Sequence, residues 1–509
     1  MTDNKSSNKR LAKNTLLMYF RMFIIMGISL ITSRVVLSEL GFEDFGIYNI
    51  TNGIIISFSF VSTALISASQ RYFAFTLGKD DIKTYHKLFN SCTTLFILLA
   101  TTACLILDPV GIWLLENELV LPEGKLYATE ILYHTVVLSF FLSFIRISFN
   151  SAVIAQEHFS FFAYLGIVEA VLKLAIVYCL VLSQDDKLIL YGYLQLIVSL
   201  IISIIYVIYV HLKLHLRYKI ILDKDISKSL LSFSGWSLYD ALASIGKMEI
   251  VNLILNAFYG VLINAAYGVA KQVFSAINSF TSNFQVAYRP QITKVYASGD
   301  LRGLILLIFN TSKFSTVIFL IVAVPVCINI DIILDLWLED VPQNASFFTA
   351  FFLVTAALET IGGPFWITAH AIGDIKWFQI ITGTIRLLAI PLVYIYIITE
   401  NPVQYVFVML VISDLAVYIY RLLYLKKKLN FPVSIYVKEV TLKVVLLTFF
   451  PSVMGWVLKL IIEGNIIGML VSTIVSISLI IVLAYYYLMD AVQRDMWKRI
   501  IKQKLGIMT

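Results

Sequence analysis

Charge is what this 509-residue sequence has least of. Only 14% of its residues are charged and 59% are hydrophobic, with a mean hydropathy of +0.86. A soluble chain of this length cannot hide so much apolar surface, so lipid is the solvent that fits. Cysteine is scarce as well. Cys92, Cys104, Cys179 and Cys327 each stand alone in or beside an apolar segment, a spacing that fits neither a disulfide framework nor a metal site. No G-x-x-x-x-G-K-[ST] motif occurs, which excludes ATP hydrolysis on a phosphate loop. The loops between apolar runs are all short, the longest external one being 108–130, so no soluble catalytic or nucleotide-binding domain is expected, and no nucleic-acid partner.

What the sequence does have is apolar runs of membrane length. A bilayer core about 30 Å thick takes about 20 apolar residues per helix. That window predicts fourteen spans: 15–37, 45–69, 88–107, 131–150, 161–182, 188–210, 229–256, 261–287, 304–327, 346–369, 377–398, 403–420, 444–462 and 466–488. The first run follows Lys5, Lys9, Arg10 and Lys13 as a signal peptide would. It is too long for one, contains Arg21 and Arg34 and lacks a small-x-small cleavage site, so it reads as a retained span. Nothing alternates like a barrel strand, and backbone groups in lipid then require helices.

Lysine and arginine set the orientation. With a cytoplasmic N-terminus, the cytoplasmic segments hold 28 of the 39 basic residues and the external ones hold only Lys125 and Lys187. External loops hold 16 of the 32 acids, among them Glu39, Glu43, Asp44, Asp331, Asp335, Glu339 and Asp340. Both termini are therefore expected in the cytoplasm.

An internal repeat divides the chain. Ser69–Asn90 and Ser282–Asn310 share a Gln eight residues before a Gly (Gln70 and Gly78, Gln291 and Gly299). An Asp follows closely (Asp80, Asp300), then a basic residue (Lys83, Arg302), then Phe-Asn. The copies lie 220 or 221 positions apart, after spans 2 and 8, so the halves share orientation. The expected fold is all-α and polytopic: a six-helix bundle over 1–228, a second over 229–430, and two more helices with a basic tail over 431–509. The repeated segments read as cytoplasmic loops of an inner gate, with Gly78 and Gly299 making the turn and Asp80 and Asp300 capping the next helix.

Nine basic residues fall inside spans: Arg21, Arg34, Arg146, Lys173, Lys247, Lys271, Lys313, Arg386 and Lys459. Five acids do: Glu169, Asp240, Glu249, Glu359 and Asp414. Each such charge costs about 2.5–3.5 kcal/mol at mid-helix, so each needs a reason. The positive surplus makes an anion the favoured occupant of any shared cavity. Arg34, Arg146, Lys313 and Lys459 lie near span ends, where they can snorkel; Arg21 either snorkels or lines a cavity. Glu169 and Lys173, four apart, can neutralise each other.

Asn264, Lys271 and Asn278 recur every seven residues in span 8, with Tyr267, Ser275, Ser282 and Gln285 on the same stripe, which makes it a packing seam or, with Lys271 at mid-span, a cavity wall. Span 7 adds Asp240 and Lys247. Span 2 adds Asn49, Asn52, Ser59, Thr63 and Gln70. A second cluster is Glu359, Arg386 and Asp414, with Gly362-Gly363-Pro364 expected to break or kink span 10. Two acids against one Arg leave a spare carboxylate for Na⁺ or a proton, or else form a structural network.

The stretches from Ser33 (SRVVLSELGFEDFGIYNI), Ser67 (SASQRYFAFTLGKDD) and Phe284 (FQVAYRPQITKVYASGD) resemble the Wzx-type flippases of the multidrug/oligosaccharidyl-lipid/polysaccharide (MOP) exporter superfamily. The resemblance extends to length and the 6+6+2 layout. It implies a V-shaped pair of six-helix lobes in the bacterial cytoplasmic membrane that alternate access. The implied cargo is an undecaprenyl-diphosphate-linked oligosaccharide for O-antigen or capsule, and the implied partners are membrane lipids, a repeat-unit polymerase and a chain-length regulator. It implies no enzymatic activity and no cofactor beyond Na⁺ or H⁺ coupling. Related lipid-precursor flippases use first-span arginines, which directs attention to Arg21 and Arg34. A drug-exporting antiporter of the same superfamily is the alternative, although export of organic cations calls for an acidic cavity. A membrane polymerase or transferase is a third, against which stand outer loops without arginine.

Overall fold

The computed structural model describes residues 2–56, 59–117, 124–183, 186–338, 340–399, 402–462, 465–489 and 494. Within these stretches, side chains are not described at 2–13, 30, 33, 37, 42, 49, 54, 56, 59 and 261. The basic side chains of the N-terminus, Asn49 and Ser59 of the polar stripe, Glu339 and most of the basic tail thus lie outside the described residues.

Among the described residues every regular element is helical. In order come α1 (Thr2–Ile56), α2 (Ser59–Gly78), α3 (Ile82–Asn117), α4 (Leu126–Ala155), α5 (Phe159–Leu182), α6 (Lys187–Lys213) and α7 (Lys224–Ala297). There follow α8 (Leu301–Ile328), α9 (Ile330–Trp337), α10 (Ala345–Ile372), α11 (Lys376–Ile398), α12 (Val406–Leu429), α13 (Val433–Tyr436), α14 (Leu442–Ile461) and α15 (Ile466–Leu483). Among the described residues, twelve helices are long and apolar enough to cross a membrane, against the fourteen expected. The two expected spans missing from that set are 45–69 and 261–287. Both are helical where described; the first is interrupted by residues 57 and 58, which lie outside the described residues, and in the second the polar stripe dilutes the hydropathy.

Two glycines interrupt the long helices. Gly41 in α1 has φ 74 and ψ 177, and Gly260 in α7 has φ 79 and ψ −176. Backbone in this region is essentially restricted to glycine. The breaks stand at equivalent points of the two halves, where the hydropathy of the sequence predicts loops.

The chain packs as two compact units. Unit 1 comprises Met1–Ala241 with Val286–Gly299, and unit 2 comprises Leu242–Gln285 with Asp300–Thr509. In unit 1, α4 packs against α1, α2, α3 and α6, while α5 packs along α1. Small clusters fill the seams, among them Met18, Ile154, Phe159 and Ala163. In unit 2, α12 packs on α10 and α11, and α8 on α10. Its core is aromatic: Phe348 stacks on Phe407 at 4.2 Å, and Tyr267 meets Phe352 edge-on at 5.2 Å. The C-terminal helices α14 and α15 pack on α8. A β-carbon on Gly455 of α14 would lie 2.5 Å from Ile328 Cδ1, so that seam favours glycine. Many large apolar side chains, such as Leu105, Leu182 and Ile467, are exposed, as helices facing lipid require.

The repeated segments are not the loops expected. α2 stays helical to Gly78 and α7 to Ala297, leaving tight turns of a few residues. Gly299 makes its turn at φ 82, and Asp300 caps α8 by accepting from the Gly303 amide at 2.8 Å. In the first copy both roles fall later than the match between the copies predicts. Asp80, not Gly78, takes the left-handed conformation (φ 55), and Asp81, not Asp80, accepts from the Thr84 amide at 3.0 Å. The Thr84 hydroxyl and amide hold the Asp81 carboxyl below its ordinary pKa. Gly78 serves contact instead. A β-carbon there would lie 2.7 Å from Lys294 Cα and 2.8 Å from Ala297 Cβ, so the two repeat copies touch within unit 1. Arg289 Nη1 donates to Gln70 Oε1 at 3.2 Å, and Lys294 pairs with Glu157 at 2.9 Å. Gln291 is buried, with neither amide atom hydrogen-bonded among the described residues.

Candidate functional site

Eight of the fourteen charges placed inside spans gather in two places, four in each unit. In unit 1, the period of α5 sets Gly166, Glu169, Ala170 and Lys173 on one face. Lys173 pairs with Glu169 at 2.9 Å, with both side chains partly open. Arg21 of α1 lies against this face: its guanidinium covers the Phe162 ring at 4.5 Å, and a β-carbon at Gly166 would lie 2.4 Å from its Nε. Glycine at 166 is therefore what lets an arginine lie flat on α5. Arg146 of α4 also approaches, 5.9 Å from the Tyr206 ring. Both Arg146 and Arg21 act on Glu169 through space. Arg21 Nε and Arg146 Nη1 are buried and make no hydrogen bond among the described residues.

Two cavities open around this cluster. One of 420 Å³ reaches Arg21, Ser29 and Thr32; the other, of 270 Å³, reaches Asn52, Ser143 and Arg146. They share Tyr48, Glu169, Lys173 and Gln195 as a common wall. Three cations face one carboxylate, and polar neutral side chains complete much of the lining. Asn52 lines the smaller cavity, its amide donating to the Tyr48 carbonyl at 2.9 Å. Arg34 does not: it is exposed and lines neither cavity.

In unit 2 the charges close on one another. Lys247 of α7 pairs with Asp414 of α12 at 2.6 Å. Glu359 of α10 accepts from Arg386 of α11 at 2.5 Å and from Arg421 of α12 at 2.9 Å. Neither carboxylate is spare, since Lys247 and Arg421 take up what Arg386 leaves. Arg421, 3% exposed, falls one residue past the predicted end of span 12, which is why counting charges within spans misses it. Nor does Gly362-Gly363-Pro364 break α10, which runs through it. Gly362 makes room instead, since a β-carbon there would sit 3.3 Å from Arg421 Nη1. The adjoining cavity is 70 Å³, lined by Lys247, Glu359, Arg386 and Asp414 among aromatic rings.

Part of the span 8 stripe meets the preceding stretch of the same helix. Asn264 donates to Asn252 Oδ1 at 2.7 Å, Tyr267 to the Met248 carbonyl at 2.9 Å, and Lys271 is ion-paired with Glu249. All three partners lie on the earlier part of α7, so Lys271 is not an uncompensated cation. Asn278 is half-buried and lines neither cluster's cavities. Asp240 is buried and belongs to unit 1, whereas Lys247 belongs to unit 2.

No known protein family and no curated protein matches the sequence. Solved structures do match. A MOP superfamily transporter from Pyrococcus furiosus, described as having a binding pocket of reverse polarity that suggests a different function, superposes with a TM-score of 0.72 at 14% identity. That match covers 83% of this chain and 96% of the other. The chain has the MOP transporter fold. An outward-facing multidrug-resistance MATE transporter of the MOP superfamily also matches, at the same TM-score, identity and coverage. A MATE in a bent conformation matches at a TM-score of 0.69 and 14% identity, again over 83% and 96% of the two chains. Within the MOP fold, both charge clusters are built from this chain's own side chains.

Proposed function

We propose that this chain is a flippase that moves undecaprenyl-diphosphate-linked oligosaccharide repeat units across the bacterial cytoplasmic membrane for O-antigen or capsule assembly. Alternating access, driven by an ion gradient or the membrane potential, would carry them, with both termini in the cytoplasm. The observation that carries this reading is the polar cavity of unit 1 with three cations around one carboxylate, on a fold that supports transport. Such a lining suits a diphosphate. The sequence resemblance to Wzx-type flippases supports the same cargo. The glycan needs a polar route, whereas the polyprenyl tail can remain in lipid. A multidrug antiporter is the second reading, favoured by the multidrug-resistance relative of the same fold. It is weakened by the sign of the cavity, since organic cations are repelled by a basic wall.

The test is genetic and chemical. A strain lacking the gene should accumulate lipid-linked repeat units on the inner leaflet and lose surface polysaccharide. Arg21→Ala or Arg146→Ala should fail to restore display while the protein remains in the membrane. Normal display in the deletion strain, together with new sensitivity to cationic drugs, would favour the antiporter.

A further inference from the structure

We infer that the connector between α6 and α7, residues 214–223, is a binding surface for the headgroups of anionic phospholipids. The inference does not depend on the cargo. It concerns which membrane lipid the protein holds, and where.

The connector combines two properties that suit neither water nor hydrocarbon. α6 ends at Lys213, His215 takes the left-handed conformation (φ 55), and α7 begins only at Lys224. On this irregular backbone Tyr218, Ile220, Ile221 and Leu222 are all exposed, Ile220 by 85%. Among the described residues, no other stretch outside the helices exposes large apolar side chains. A run of isoleucine and leucine turned to water marks an interaction surface. Yet backbone without helical hydrogen bonds cannot face the hydrocarbon core. The headgroup region reconciles the two, because apolar side chains reach the acyl boundary while the backbone stays hydrated. The lipid-facing surface leads directly into it: Ile208 and Leu212 at the end of α6 and Leu231 near the start of α7 are also exposed.

Charge selects the kind of lipid. Arg217, Lys219, Lys224 and Lys228 are exposed, and none of them meets a carboxylate among the described residues. The connector's own acid is already engaged. Asp223 pairs with Lys87 at 2.6 Å and accepts from the Ile226 amide at 2.9 Å. Asp225 is the one further acid over 214–228. Basic residues beside a membrane anchor attract anionic lipid, and the guanidinium fork matches phosphate oxygens.

The first repeat copy holds this surface in place. Asn90 Oδ1 accepts from the Lys219 amide at 2.9 Å, and Ser91 Oγ accepts from the Asp223 amide at 3.2 Å. The Tyr218 hydroxyl lies 3.2 Å from that of Thr94. The asparagine that closes the repeat therefore straps the connector to α3. A segment pinned by its backbone presents Arg217, Ile220 and Leu222 with little left to order on binding.

The experiment places a bimane probe at Ile220→Cys in the full-length protein, its four natural cysteines changed to alanine. The protein is reconstituted in vesicles of equal parts phosphatidylglycerol and phosphatidylcholine. One lipid at a time carries bromine near the headgroup end of its acyl chains, so composition stays fixed and only the quencher moves. Quenching should be several-fold stronger with brominated phosphatidylglycerol than with brominated phosphatidylcholine. At Leu182→Cys, an exposed apolar position at the end of α5, the two should quench alike. Arg217→Gln combined with Lys219→Gln should bring the ratio at position 220 close to unity, whereas Arg217→Lys should retain it. High salt should act in the same direction as the glutamines. The inference is overturned if neither lipid quenches at 220, which would leave the surface to water or to a soluble partner. Equal quenching by both lipids overturns it too, as apolar contact without a choice of headgroup. So does a preference that survives in the double glutamine variant or appears equally at Leu182→Cys.

Discussion

The two charge clusters use the same residue types to opposite ends. In unit 2, Lys247, Arg386 and Arg421 each meet a carboxylate within 2.9 Å, beside a 70 Å³ cavity. In unit 1, of Arg21, Arg146 and Lys173 only Lys173 meets a carboxylate among the described residues, next to cavities of 420 and 270 Å³, although a buried guanidinium nitrogen without a hydrogen bond occurs in both units, at Arg21 and Arg146 and at Arg421. Buried charge is tolerated in unit 2 because partners arrive from other helices. It is tolerated in unit 1 because polar side chains and open space surround it. A closed network fixes how helices pack, whereas an open one keeps capacity for a ligand. Charge counting along the sequence sees the two as equivalent; the number of cations that meet a carboxylate separates them.

The contrast can be broken by mutation, with the largest effect in unit 2. Asp414→Asn leaves Lys247 buried and unpaired, which should cost about 3–5 kcal/mol. Thermal unfolding of the detergent-solubilised protein measures this, and Lys247→Met combined with Asp414→Leu should recover most of the loss. If Asp414→Asn is neutral, the unit 2 cluster is not a closed network. Next come the glycine breaks. Gly41→Ala or Gly260→Ala forces an alanine into backbone reserved for glycine, at about 1–3 kcal/mol each, read in the same assay.

In unit 1 the expected stability effect is smaller. Lys173→Ala should change it by about 1 kcal/mol or less, because its ion pair is partly exposed, while surface polysaccharide drops sharply in the complementation assay. A variant that loses stability and display together would make unit 1 resemble unit 2. The smallest effect concerns pH. His158, in the turn between α4 and α5, has its imidazole pushed below the ordinary value by burial and then by Lys294. The neutral form is thus favoured in the folded protein. The stability it contributes is present above the unfolded value of about 6.5 and is lost as pH falls below it, where the unfolded chain binds the extra proton. Hydrogen exchange at residues 156–160 should quicken between about pH 7.5 and 5.5, apart from the intrinsic change in rate, and His158→Gln should remove that dependence.

Much of the fold is legible in the sequence because helices in lipid must satisfy their own backbone groups, so apolar runs translate directly into helices. The repeat is legible too, yet its register is not. The match to Gly299 points to Gly78 as the turn residue, but close packing on Lys294 claims that glycine, and Asp80 makes the turn. The polar stripe through Asn264 and Lys271 is visible, but periodicity cannot say what a stripe faces. It meets Asn252 and Glu249 a short way back along the same helix. The pairing of Lys247 with Asp414 joins residues far apart in sequence, and nothing local announces it. Arg146 near a span end reads as a snorkelling residue, and Lys173 as half of an i,i+4 pair, so neither stands out as a binding group. The one local signal is Gly166, a small residue one turn before Glu169 that leaves a berth for Arg21.

The way α7 is shared bears on how the protein can be taken apart. Its first stretch, up to Ala241, and its last, Val286–Gly299, belong to unit 1, while Leu242–Gln285 belongs to unit 2. No single scission of the polypeptide yields two complete halves. A fragment ending at Ala241 would lack Arg289 and Lys294, the partners of Gln70 and Glu157, and would carry the α2 terminus with its glycine contact unfilled. Split-gene complementation should accordingly work only when the second fragment threads that missing strip back into the first, which makes α7 a co-owned part rather than a linker.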